Sequence, residues 1–179
     1  MKKPLVAAAL SIAFIAAVWQ ACLALYYQSA WAVSFPLAGV GVACFFAWAT
    51  FYAIGGQKSG FVRGLATNYA GVVWGMVMIF IWGLFGFTGT LNIVGAFVGL
   101  FVGAFGIVMQ AHLKLFSFIP AAFIGSATFF ALGATINGAT LFPTLIGLLC
   151  GAILGYLSQE FSKPIEKWIT PKPKITKEK

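Results

Sequence analysis

Polar side chains are rare along this chain and fall in clusters, so the apolar runs between them stand out. Six runs can be marked, near Leu5–Tyr27, Phe35–Ile54, Leu65–Phe85, Leu91–Gln110, Leu115–Leu132 and Leu141–Gln159. Each is close to the ~20 residues that carry a helix across roughly 30 Å of hydrocarbon. The joints hold turn-forming residues, as in Gly55-Gly56-Gln57-Lys58-Ser59-Gly60, Gly86–Gly89 and Asn137-Gly138. The alternation of a β-barrel strand is missing, because stretches such as Val94–Val108 are apolar on every face. The pattern therefore predicts an all-α membrane protein of six transmembrane helices. It divides into a six-helix domain over residues 1–160 and a basic tail over 161–179.

Composition agrees. Hydrophobic residues make up 61% of the chain and charged residues 8%. A soluble domain carries about 25% charged residues, so a chain with this balance needs lipid around it. The placement of the eleven basic residues is more informative than the net charge of +8. Lys2 and Lys3 precede the first run, Lys58 and Arg63 sit in the second joint, and Lys114 sits in the fourth. Lys163, Lys167, Lys172, Lys174, Lys177 and Lys179 fill the tail. The first, third and fifth joints have none. With six spans every cation falls on one side, which the positive-inside rule makes the cytoplasm. Both termini are then cytoplasmic, and the expected location is a bacterial inner membrane. The first run is long enough to span and is expected to be retained rather than cleaved. Lipid is the expected partner, with anionic headgroups at the tail; nucleic acid is not expected, because the tail lacks a fold that would read it.

The two halves share a pattern. Pro36, Gly41, Phe45, Phe46 and Ala47 align at one constant spacing with Pro120, Gly125, Phe129, Phe130 and Ala131. Gly71 and Gly75 align with Gly151 and Gly155. A repeat of three spans is odd, so its copies enter the membrane from opposite sides. The expectation is a 3+3 inverted repeat, a plan in which the solute path lies at the repeat interface. In that register Cys44 faces Thr128. The candidate solute path is accordingly Pro36, Gly41, Cys44, Pro120, Gly125, Ser126 and Thr128. The competing reading is bland: Ser and Thr hydroxyls bond back to their own helix carbonyls.

Glycines recur at every fourth position. Gly71 and Gly75 do so in the third run, Gly95, Gly99 and Gly103 in the fourth, and Gly147, Gly151 and Gly155 in the sixth. Such faces let helix backbones approach closely. They leave open whether the partner helix lies in the same chain or in a homo-oligomer.

Chemistry is sparse. The acids are Glu160, Glu166 and Glu178, at or beyond the end of the last run. No carboxylate sits mid-span to couple a proton or sodium ion. Cys22, Cys44 and Cys150 have no metal or redox spacing. The single histidine, His112, reads as a solvated loop residue, with a gating role as the rival. No catalytic set, metal site or cofactor is expected, so the chain does not read as an enzyme.

Several short blocks carry a resemblance. Ser117-Phe118-Ile119-Pro120, Phe123-Ile124-Gly125, Ala127-Thr128-Phe129, Gly71-Val72-Val73-Trp74 and Gly155-Tyr156 resemble the uncharacterised YcdZ-like family of small bacterial inner-membrane proteins. The likeness covers roughly Leu5 to Gln159 and departs at Ala121, where that family often has glycine. It implies location and topology and no activity. Two functions stay in view: a channel, facilitator or small transporter for a small neutral solute, and a non-transporting accessory or scaffold subunit. Polar residues converging on a cavity favour the first, and a filled core favours the second.

Overall fold

The computed structural model describes residues 3–136 and 138–170. Among these it forms seven helices: α1 (Lys3–Gln28), α2 (Trp31–Ser34), α3 (Val40–Ala53), α4 (Gln57–Leu84), α5 (Gly89–Met109), α6 (Ile119–Ala131) and α7 (Gly138–Ile169). Two 3-10 turns, Gln110–His112 and Lys114–Phe116, link α5 to α6. The tail residues Lys172, Lys174, Lys177 and Lys179 lie outside the described residues, as do Lys2 and Asn137.

Four helices have the length and apolarity to cross a membrane: Pro4–Gln28, Gln57–Leu84, Gly89–His112 and Gly138–Ile169. The second and fifth expected spans are shorter. α3 has 14 residues and α6 has 13, which at 1.5 Å per residue gives only about 20 Å of helix. Local chemistry explains both. Pro36 holds Phe35 out of the helical region, and Gly39 then takes a left-handed φ of +83° that delays helix entry to Val40. Pro120 occupies the first turn of α6, where its missing N–H costs nothing; the residues before it form the 3-10 turns instead. The long helices overrun their expected limits. α4 starts at Gln57, so Lys58 and Arg63 lie on its first turns rather than in a joint. α7 runs through Pro164 to Ile169.

α3 and α6 end alike. Ala49-Thr-Phe-Tyr-Ala-Ile-Gly-Gly56 and Ala127-Thr-Phe-Phe-Ala-Leu-Gly-Ala134 both finish in left-handed residues, with φ of +99° and +67° at Gly55 and Gly56 and of +112° and +50° at Gly133 and Ala134. The amide of Gly56 donates to the Phe51 carbonyl at 2.9 Å and that of Ala134 to Phe129 at 3.0 Å. These are matched Schellman caps. They pair Thr50 with Thr128 and Phe51 with Phe129. The register inferred from the two prolines is different, and the structure does not follow it: Pro36 lies before α3, whereas Pro120 lies inside α6. Ala134 holds a left-handed conformation that costs a residue with a Cβ about 1–2 kcal/mol. Ala134→Gly is therefore expected to raise stability by about 1 kcal/mol, read by thermal unfolding in detergent. Gly133→Ala, at φ +112°, should lower it.

The packing exchanges partners between the halves. α3 lies on α7, and α6 lies on α4; α1 flanks α7 and α5 flanks α4; α4 and α7 cross in the middle. Ala47, Val72, Phe129 and Leu148, one from each of α3, α4, α6 and α7, form the central cluster. A bilayer supplies no hydrophobic drive between helices, so close approach has to supply the attraction. The glycine faces provide it. A Cβ added at Gly71 would stand 2.7 Å from the carbonyl carbon of Ala122 and closer still to its oxygen. One added at Gly151 would stand 2.8 Å from that of Cys44. Gly75 seats the Phe129 ring and Gly155 the Phe51 ring, at 2.8 and 2.7 Å by the same measure. Gly147 lies against Ala43 and Val40. On the flank of α4, Gly95, Gly99 and Gly103 receive Trp82 and Met78. The faces turned outward are apolar, as at Leu5, Leu10 and Phe14 of α1 and Phe97, Phe101 and Phe105 of α5.

Candidate functional site

The polar groups of the interior gather where α3, α4 and α6 meet. Thr50, Thr67, Asn68 and Thr128 are wholly buried, and Ser126 nearly so. Thr50 and Thr128 occupy the last turns of α3 and α6, where each hydroxyl donates to its own helix, Thr50 to the Phe46 carbonyl at 3.0 Å and Thr128 to that of Ile124 at 2.7 Å. This is the back-bonding expected of hydroxyls in apolar helices. Thr67 donates to the Leu115 carbonyl at 3.1 Å and so ties α4 to the chain entering α6. Ser126 faces Gly75 and the sulfur of Met78, 3.9 Å away.

Asn68 is different. Its backbone carbonyl lies against Gly125 of α6. Its side chain meets Thr50 alone, Oδ1 to Oγ1 at 3.3 Å, and its Nδ2 has no partner. Turning the amide over only exchanges which half is left unpaired. A buried amide without partners costs about 1–3 kcal/mol, and such groups are rare enough to need a reason.

Of the predicted path, the structure buries Cys44, Gly125, Ser126 and Thr128 inside the bundle. It does not bury the rest. Pro36 and Pro120 are exposed at the helix entries, and Gly41 packs toward Leu23 of α1. Cys44 presents its carbonyl to Gly151, so it serves helix packing. The five grooves described on the surface are lined by none of these residues. At the centre backbone meets backbone, Gly71 against Ala122 and Gly125 against Asn68. Polar residues thus converge, but on a closed crossing rather than a cavity.

A second polar cluster escaped the sequence reading. Ser158 of α7, fully buried, receives the indole N–H of Trp48 at 3.1 Å and lies 2.8 Å from the Tyr52 hydroxyl. Its carbonyl accepts from Ser11 of α1 at 2.6 Å. Ser158 continues the Gly147, Gly151, Gly155 stripe, and that spacing was the available signal. Two indoles of α4 reach the two ends of α5, Trp74 donating to Gln110 at 3.0 Å and Trp82 to Asn92 at 2.6 Å. His112 is exposed in its turn. No group of metal-ligating side chains forms among the described residues.

A family model described as "Protein of unknown function (DUF1097)" matches residues 9–163. A relative from Escherichia coli (strain K12), described as "Uncharacterized protein YahC", is 37% identical over 121 residues, which cover 67% of this chain and 70% of the relative. No solved structure matches significantly.

Proposed function

The chain belongs to the DUF1097 family of proteins of unknown function, so its role has to be read from its own geometry, and on that geometry we propose that it passes a small neutral solute across a bacterial inner membrane between α3 and α6, with the present conformation closed. The observation that carries this is Asn68. An amide left half unpaired at the crossing of two short helices is a poor choice for a scaffold and a suitable handle for a neutral, hydrogen-bonding solute. The absence of carboxylates before Glu160 fits passive movement.

The architecture in this reading is the 3+3 inverted repeat. Matched caps on α3 and α6, and the paired seats Gly71 on Ala122 with Gly151 on Cys44, support it. So do the paired seats Gly75 on Phe129 and Gly155 on Phe51. α3 and α6 complete two further crossings with the irregular segments that precede them. Such backbone is tolerated at membrane depth only where protein or water covers it. The basic end faces the cytoplasm, both termini lie there, and the tail meets anionic lipid. The narrower likeness to the YcdZ type belongs to the same reading, as does the lack of any catalytic step.

The closed crossing favours a second reading, a non-transporting accessory or scaffold subunit that uses its apolar flanks to hold a partner. Stopped-flow light scattering on proteoliposomes separates the two, with water, glycerol, urea, ammonia and formate as the panel. Excess flux of one solute over empty liposomes is the expected result. Correctly inserted protein that speeds none of them leaves the accessory reading in place.

A further inference from the structure

A groove of about 500 Å³ opens at the basic end between α4 and the turn before α6, lined by Arg63, Lys114, Leu115 and Ser117. Its guanidinium is unusual. Arg63 Nη2 donates to Ser117 Oγ at 2.6 Å, while Ser117 passes its own proton to the Lys114 carbonyl at 3.0 Å. Arg63 Nε is shut off from solvent and has no partner. Among the described residues no acid pairs with either cation. Every carboxylate lies at Glu160 or beyond, and the ion pair seen among the described residues joins Lys163 to Glu160 on α7. A guanidinium donates in a planar fork that suits two oxygens of one phosphate.

A second groove, of about 470 Å³, lies along the same stripe of α4. Ala66, Ala70, Val73 and Trp74 line it, with Tyr69 and Phe116. The spacing of positions 63, 66, 70 and 73 keeps both grooves on one helix face. The alanines leave room for a chain, and the walls are almost wholly apolar. A cationic fork above an apolar channel has the chemistry of one kind of ligand, a phosphate with a hydrocarbon tail.

We propose that these two grooves form a single binding site for an anionic phospholipid, with the headgroup phosphate on Arg63 and Lys114 and one acyl chain along Ala66 and Ala70. The site uses Arg63 and Lys114 rather than the lysines of the tail, and it does not depend on whether the protein moves a solute. Bound lipid engages the terminal nitrogens of Arg63 and braces the Lys114–Ser117 turn, which Thr67 already holds to α4.

Native mass spectrometry of the full chain, released from mixed micelles of phosphatidylglycerol and phosphatidylcholine with matched acyl chains, tests this. The wild type is expected to retain the anionic lipid about five-fold or more in preference, as one cation contributes about 1 kcal/mol near anionic lipid. Arg63→Gln and Lys114→Gln should bring the preference toward parity, and Lys114→Gln, in an exposed turn, leaves the fold intact. Ala70→Phe should reduce retention of both lipids by filling the channel. A variant with the tail lysines Lys172, Lys174, Lys177 and Lys179 changed to Gln should keep the preference. Loss of the preference in the tail variant, or its persistence in Lys114→Gln, overturns the site. Inorganic phosphate at millimolar concentration should not displace the lipid; displacement that depends on Arg63 would make free phosphate the ligand and overturn the lipid assignment.

Discussion

Replacing Gly71 or Gly151 with valine is expected to eliminate the folded protein. Overpacking a core usually costs about 1–3 kcal/mol, because side chains and backbone can shift to relieve it. Here the obstruction is backbone on backbone. The Cβ of residue 71 would overlap the Ala122 carbonyl, and that of residue 151 the Cys44 carbonyl, so two helices would have to part. The expected cost exceeds about 3 kcal/mol, seen as loss of the monodisperse peak in detergent size-exclusion chromatography. Alanine at each position should give a folded but weakened protein with a lower unfolding temperature. The drops at 71 and 151 should match if the two seats are equivalent halves of one repeat. Gly138→Ala is the control, since a Cβ there meets nothing within 4 Å. Tolerance of valine at both positions would mean that α4 and α6, and α3 and α7, do not meet as described.

Asn68→Leu is expected to separate stability from function. The substitution nearly keeps the volume of the side chain and removes an amide that makes one long hydrogen bond and leaves its other half unpaired. Removing an unsatisfied buried group is neutral or favourable, by about 1 kcal/mol. The unfolding temperature should hold or rise, while excess solute flux in proteoliposomes falls to that of empty liposomes. Thr50→Val should lower flux less, because Thr50 already shares its one proton between the Phe46 carbonyl and Asn68 Oδ1. Wild-type flux retained in Asn68→Leu would remove Asn68 from the path. A large fall in stability would make it a structural residue with a partner.

Much of the helical plan was legible along the chain. α1 and α5 fall within two residues of the apolar runs that marked them. The starts of α3 and α6 were harder to place. Their apolar runs continue through Phe35 and Leu115, but Pro36, Gly39 and Pro120 control where a helix can start, and hydropathy does not register a backbone constraint. A likeness between the two halves was visible in the sequence, while the match between α3 and α6 was not. Pro36 and Pro120 aligned well as letters, yet one precedes its helix and the other begins it; the shared Ala-Thr-Phe blocks ending at the left-handed caps gave the pairing that the backbone follows. Asn68 carries no such signal, since nothing in its neighbours along the chain says that it lacks a partner.

By itself the amino-acid sequence determined a chain of apolar helices, a basic end and glycine faces at helical spacing, because those properties depend on residue type and on distances of four residues or fewer. Only the tertiary structure decided which helices those faces meet. A row of glycines makes any helix flat enough to pack closely, but it does not choose its partner, and here each short helix packs on the long helix of the other half. That exchange places the Ala122 and Cys44 carbonyls in the glycine seats. It closes the centre around Asn68, and it aligns Arg63 with a groove whose far wall comes from the turn before α6. Each of these depends on atoms brought close in space by segments distant in sequence.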